Sequence, residues 1–322
     1  MITQRVDPDD PALGATVPVL RALAERCDEV VVLTLALRPA DLPANVRVKV
    51  IGAPSQALRG ARLVAALVPE LRGDVAVLAH MSPIYAVLAA PFTRVRGVPL
   101  LLWFTHWKAS RLLRLAERAV TRVLTVDTSS FPLRSAKVVP IGHHIDVASF
   151  ECVEQREPLR LLALGRTSPA KGLDTIAEAA RRAGVELELR GPSLTDEERA
   201  YRATLPDVQE PVPRTEIGAV YARAGALVNN MRSGALDKVV FEAAAACLPV
   251  LVSSPGFAGL VDGIEPPLAF AQDDAEQLAE RIRALAAAGA ETRGRIGREL
   301  RARVERSHSV GHWADRVLEA CR

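Results

Sequence analysis

Hydrophobic residues are laid out along this chain in two textures. Short unbroken runs of Val, Leu, Ile and Ala alternate with longer stretches in which apolar side chains recur every three or four positions. The first texture predicts strands buried on both faces, and the second predicts helices with one apolar stripe. In the first half, strands are predicted at Glu29–Leu35, Val46–Ile51, Asp74–Ala79, Val98–Phe104, Val123–Val126 and Lys137–Ile141, with helices near 13–26, 56–70, 83–92 and 108–121. The second half repeats the scheme, with strands near 159–164, 185–190, 226–229, 249–253 and 268–270. Its helices are predicted near 172–183, 195–203, 216–223, 238–247, 274–288 and 292–306, and the tail from Ser307 reads as one more. Strands alternating with helices predict parallel sheets, and two such arrays in series predict an α/β chain of two doubly wound, Rossmann-like domains. The polar stretch Gly142–Pro158 is the predicted boundary, giving domains of 1–147 and 148–306. Ligands of such sheets sit beyond the carboxyl ends of the strands, in a cleft.

Composition narrows the class without naming it. At 322 residues the chain exceeds one comfortable core, which agrees with two domains. A hydrophobic share of 49% with 25% charged residues describes a globular protein rather than a disordered one. The formal net charge of +3 is too weak to argue for nucleic acid as a partner. Cys27, Cys152, Cys247 and Cys321 show no paired metal-ligand spacing and read as buried or incidental thiols of a reducing compartment. No signal-peptide core opens the chain, and its apolar runs fall well short of the ~18–20 residues of a spanning helix. The expectation is a cytoplasmic protein.

Two segments carry candidate chemistry. From Gly165 to Gly172, a Gly turn leaves a predicted strand with Arg166 and Lys171 five positions apart, just ahead of a helix. Arg offers a planar fork to phosphate oxygens and Lys a mobile point charge. Pro169 suits a first helical turn, with Ser168 as its cap. The alternative is a charged loop with one cap. The second segment, Ser233 to Asp237, reads as a loop ending in an N-cap, followed by a helix from Lys238. Free N–H groups at such an end attract phosphate. Glu242 lies one turn inside that mostly apolar helix, where an ionised carboxylate needs partners. Two ribose hydroxyls would supply them; the competing reading is an ion pair with Lys238 four positions earlier.

The segments Gly165–Gly172 and Asp237–Ser253 resemble the donor half of retaining glycosyltransferases of family 4, which have the GT-B fold. The first half resembles bacterial members of the same family through Ile2–Asp7 with Leu13 and Gly14, His80–Tyr85, Leu102–His106 and Ser130–Asp146. The resemblance implies that two Rossmann-like domains face each other across a cleft and that the last helix packs on the first. It implies that Arg166 and Lys171 hold the donor diphosphate, Glu242 the ribose, and the amides at Asp237 and Lys238 complete the phosphate cradle. Gly14 would admit a loop close to the donor, and His106 would stand by the transferred sugar. The base would lie along the strand end at Arg190 and the loop at Val212. One departure stands out: the first of two family glutamates falls on Gly234. Asp237 either substitutes for it or is a helix cap.

Other polar groups leave alternatives. His106 follows a predicted strand and can donate to a departing phosphate or a sugar hydroxyl; otherwise it is structural, beside Trp103 and Trp107. His80 ends another strand as an acceptor-side candidate, and His143 and His144 fall at the domain junction. Asp7, Asp9 and Asp10 have a divalent-metal spacing, but Asp-Pro pairs are ordinary turn chemistry. Arg111, Arg114, Arg118 and Arg122 share one stripe of a predicted helix, with Leu112, Leu115, Ala116 and Ala119 opposite. Such a helix is either a solvated face or a contact with anionic lipid.

The resemblance thus implies a metal-independent, retaining transferase with no cofactor, moving a sugar from a UDP- or GDP-sugar to a glycan or lipid-linked acceptor. A GT-B nucleotide-sugar epimerase and a binding protein without turnover are the alternatives.

Overall fold

A computed structural model describes residues 1–10, 13–106, 108–155, 157–233 and 236–322. The chain divides into two compact units, one formed by Met1–His144 with Ser309–Arg322 and the other by Ile145–His308.

The first unit runs β1 (Ile2–Val6), α1 (Thr16–Ala24), β2 (Val30–Leu37), β3 (Val46–Val50), α2 (Gln56–Leu67), β4 (Val77–His80), α3 (Pro83–Val95), β5 (Leu100–Trp103), α4 (Arg111–Ala119), β6 (Arg122–Thr125) and β7 (Val138–Pro140). All seven strands are parallel, in the order β3-β2-β1-β4-β5-β6-β7. The strand missing from the sequence reading, β1, occupies the middle of this sheet. Its Thr3-Gln4-Arg5 centre breaks the apolar run, yet Ile2 pairs with Leu33 on one side and Ala79 on the other. Central position, not composition, makes it a strand.

The second unit runs β8 (Arg160–Leu164), α5 (Leu173–Ala183), β9 (Glu186–Arg190), α6 (Asp196–Arg202), β10 (Val208–Gln209), α7 (Ile217–Tyr221), β11 (Ala226–Asn229), α8 (Lys238–Ala245), β12 (Val250–Val252), α9 (Ala258–Val261), α10 (Ala275–Ala287) and α11 (Gly289–His308). Its parallel sheet has the order β10-β9-β8-β11-β12. The predicted strand at 268–270 is reduced to a single bridge between Val252 and Ala269, and the two-residue β10 was too short to read.

The chain re-enters the first unit with α12 (Val310–Ala320), whose Trp313 is fully buried and meets Trp103 edge-on at 5.4 Å. Ser309 caps this helix by accepting from the His312 amide at 3.2 Å.

The cysteines correct the sequence reading. Cys152 and Cys247 form a disulfide across 95 residues, while Cys27 and Cys321 are free thiols. The bond fastens the segment that opens the second unit to the end of α8. Arg301 reinforces it, donating to the Val147, Phe150 and Ala245 carbonyls. Spacing alone could not pair residues so far apart.

Candidate active site

In the second sheet the chain winds outward through β9 and β10, then returns to the other side of β8 as β11. The order therefore reverses between β8 and β11, and crevices at such switch points hold ligands in open α/β sheets. The loops leaving these two strands are 165–172 and 230–237, the segments singled out from sequence.

Glycines let these loops pack. Gly191 has φ +152°, and a Cβ there would collide with the Gly165 carbonyl. Gly172 sits at φ +54° with its open face against the Asn230 side chain. Ser168 accepts from the Ala170 amide at 3.4 Å at the head of a short 3₁₀ turn, Pro169–Lys171. Arg232 then binds the turn: its amide donates to the Ala170 carbonyl and its Nη1 to that of Pro169. Its guanidinium also spans Asp174 and Asp273. Nothing in the local pattern flagged Arg232, because its partners lie in distant segments.

That turn brings Lys171 to the start of α8. Its Nζ lies 3.1 Å from the position a Cβ on Gly165 would take, and it is ion-paired with Asp237 Oδ2. Asn229, ending β11, donates from Nδ2 to the same oxygen at 2.8 Å. Asp237 holds the N-cap position of α8 but makes no side-chain cap bond there. The cap reading of this residue is corrected: its carboxylate serves Lys171 and Asn229 instead. Gly234, the departure from the family pattern, lies outside the described residues.

Arg166 goes elsewhere. Its Nε pairs with Glu198 Oε1 at 2.9 Å, and Glu198 is buried on α6, where it also accepts from the Leu194 amide. The predicted cations thus hold separate carboxylates, Lys171 on Asp237 and Arg166 on Glu198.

Glu242 is 4% exposed. The pair with Lys238 weighed from sequence is present at 3.3 Å, and Arg214 donates to the same Oε1 at 2.9 Å. Arg214 was missed because it sits on another 3₁₀ turn, Arg214–Glu216, ahead of α7. Burial pushes the Glu242 carboxyl up, but Lys238 and Arg214 outweigh it and hold the group below the usual carboxylate range. Burial keeps Lys238 below its ordinary value despite Glu242, and it raises Tyr221, with help from the Glu242 charge. Arg190 is turned to Glu188 and the Glu210 carbonyl, both at 2.6 Å, and Val212 is half-buried in the loop before Arg214.

In the first sheet the order reverses between β1 and β4. Gly14 is buried in the loop after β1, its amide donating to the Asp10 carbonyl at 2.8 Å. His80 ends β4; it is buried, with Nδ1 3.2 Å from Thr3 Oγ1 and its ring 6.0 Å from that of His144. His143 and His144 are likewise buried, around Trp103. His106 is exposed beyond β5, its Nδ1 accepting from the Lys108 amide at 3.0 Å; Trp107 lies outside the described residues. Asp7 and Asp10 accept from the Asp9 and Leu13 amides, as turn residues do. On α4 the predicted faces shift: Leu113 and Ala116 are the buried pair, and Leu112 and Leu115 stand exposed among the arginines.

The segment 169–319, which carries Lys171, Asp237 and Glu242, matches a family model described as "Glycosyl transferase-like". No curated protein matches the chain in sequence. Among solved structures, HepE from Anabaena in complex with UDP and glucose is 17% identical, with a TM-score of 0.71 over 99% of this chain and 97% of that one. Sucrose-phosphate synthase from Thermosynechococcus elongatus is 16% identical, with a TM-score of 0.71 over 99% and 97%. WaaG, a glycosyltransferase involved in lipopolysaccharide biosynthesis, is 16% identical, with a TM-score of 0.68 over 99% and 98%. The fold is GT-B, with two Rossmann-like parallel sheets. No helix among the described residues is long and apolar enough to cross a membrane.

Proposed function

We propose that the protein is a retaining glycosyltransferase that moves a sugar from a UDP- or GDP-sugar to a glycan or lipid-linked acceptor. The observation that carries this reading is the pairing of Lys171 with Asp237 at the start of α8, which has no side-chain cap bond, one turn ahead of the buried Glu242. Lys171 and the amides at Asp237 and Lys238 take the diphosphate, and Glu242 takes the ribose. HepE, with the same fold, has UDP in its crystal structure, which supports a uridine donor.

In this reading negative charge grows on the departing diphosphate as the sugar bond breaks. Lys171 and the α8 N-terminus stabilise it without moving, which is the largest source of rate in such sites. Arg166 joins them only by leaving Glu198, so its share is smaller than that of Lys171. His106 is exposed and donates to a phosphate or sugar hydroxyl in the first unit. The sugar transfers on the face it leaves from, with no metal and no protein nucleophile.

The test is donor hydrolysis by the purified protein, following the released sugar and its anomer. Slow release of the same sugar with retained configuration supports the proposal. An epimerised sugar turns it into an epimerase, and tight UDP binding without release leaves a binding protein.

The exposed Leu112 and Leu115 beside Arg111, Arg114 and Arg118 support a peripheral contact of α4 with anionic lipid. Vesicles with and without anionic lipid decide this: equal binding to both ends the idea.

A further inference from the structure

The candidate diphosphate site already contains an anion of its own. Asp237 holds the cation that a phosphate would need, and it draws on Asn229 as well. We propose that Asp237 is an internal counter-ion, occupying Lys171 and Asn229 until a nucleoside diphosphate enters and displaces it. This inference rests on the donor-site reading above and adds to it how the site is kept neutral and how tightly it binds.

Three features point to displacement rather than permanent pairing. First, the Asp237 carboxylate is held by Lys171 and Asn229, both groups of the site, and it is not tied to the amides of α8. Moving it breaks no cap. Glu198 under Arg166 is the contrast: it is buried and also accepts from the Leu194 amide, so it is a fixture of α6. Second, Lys171 and Asp237 are both largely enclosed, with 14% and 19% of their side chains exposed. A cation so enclosed is costly to leave unpaired, and an internal carboxylate satisfies it until a ligand arrives. Third, phosphate oxygens accept hydrogen bonds as a carboxylate does, so a diphosphate can inherit both the Lys171 Nζ and the Asn229 Nδ2 donors. A carboxylate left beside the bound diphosphate opposes it.

Asp237→Asn and Asp237→Ser should therefore bind UDP about five- to tenfold more tightly than the unaltered chain, as expected for removing one like charge at close range. Pyrophosphate, which has no base or ribose, should show the same gain. In a Lys171→Met background the gain should vanish, because no cation remains to be contested. Titration calorimetry of the full chain with UDP and with pyrophosphate reads all of these, and thermal unfolding of each variant checks that it is folded. Should one Asp237 variant fail to fold, the other carries the test. Unchanged or weaker UDP binding in folded Asp237 variants overturns the counter-ion while leaving the donor site standing. Binding of neither UDP nor pyrophosphate by any form removes the donor site, and the counter-ion with it.

Discussion

The two sheets reverse their strand order in the same way, but the side chains gathered at the two reversals differ in kind. At the β8–β11 point Lys171 is ion-paired with Asp237, and Glu242 with Lys238 and Arg214. At the β1–β4 point stand Thr3, His80, His144, Trp103 and Trp313, linked by ring contacts and by the hydrogen bond between Thr3 and His80. A doubly wound sheet fixes where a ligand can be met, not what the ligand is. The charged reversal is equipped for an anion. The aromatic one is closed over by α12 and holds its own unit together.

The largest expected effects come from one substitution in each region. Trp313→Ala should cost about 3–5 kcal/mol of stability through loss of packing under α12, with no dependence on salt. Glu242→Gln should cost a comparable ~3–5 kcal/mol, because Lys238 and Arg214, with 22% and 21% of their side chains exposed, lose their shared buried carboxylate. Denaturant unfolding measures both. If the comparison holds, only Glu242→Gln also weakens UDP binding. A Trp313 variant that lost UDP affinity while still folded would break the division of labour. Next in size, Lys171→Ala should lower kcat/KM by about 2–4 kcal/mol, the scale of a lost oxyanion donor, and also lower stability, because the enclosed Asp237 carboxylate loses its cation and keeps Asn229. An equal loss in Arg166→Ala would mean that Arg166 leaves Glu198 in the working enzyme.

How much of this the chain discloses depends on whether a residue's partners are local. The continuous strands β2, β5, β8 and β11 and the helix from Lys238 follow from patterns a few residues long. So does the Ser168–Pro169 turn, whose cap acts within three positions. Strand β1 escaped because its pairing with β2 and β4 outweighs a polar centre. Arg214, Arg232 and the Cys152–Cys247 bond escaped for a related reason: each joins segments that only the fold brings together. Glu242 shows the middle case. The need for a partner was legible from its apolar helix and Lys238 was in view, but Arg214 was not. The side chains of α4 show the limit of a helical wheel, since Leu112 and Leu113 are adjacent and only packing against α3 decides which is buried.

The smallest effect sharpens the comparison by supplying a carboxylate that resembles Glu242 in pairing but not in place. Glu70 follows α2 in the first unit and is held by Arg47 at 2.9 Å and Lys49 at 2.5 Å, on the edge strand β3. Hydrogen bonds from Arg47 and then Lys49 bring its carboxyl down from 4.5 to about 2. A carboxyl depressed in the folded state adds stability above the unfolded value and loses it as pH falls through the folded one. Glu70 therefore contributes fully above about pH 4.5 and fades between there and pH 2. Because the pair sits near solvent, Glu70→Gln should cost under about 1 kcal/mol at neutral pH, reduced further by salt, and flatten the acid-side decline. Glu242→Gln acts in the same direction on the acid side, since its carboxyl is also depressed, but from a buried position that salt screens poorly. Unfolding curves from pH 2 to 7 at low and high salt separate the two. Salt should erase the Glu70 effect and leave that of Glu242, and UDP should protect the unaltered chain and Glu70→Gln alike. Equal salt sensitivity at both positions would place Glu242 at an open surface, where it could not act as the enclosed grip on a ribose.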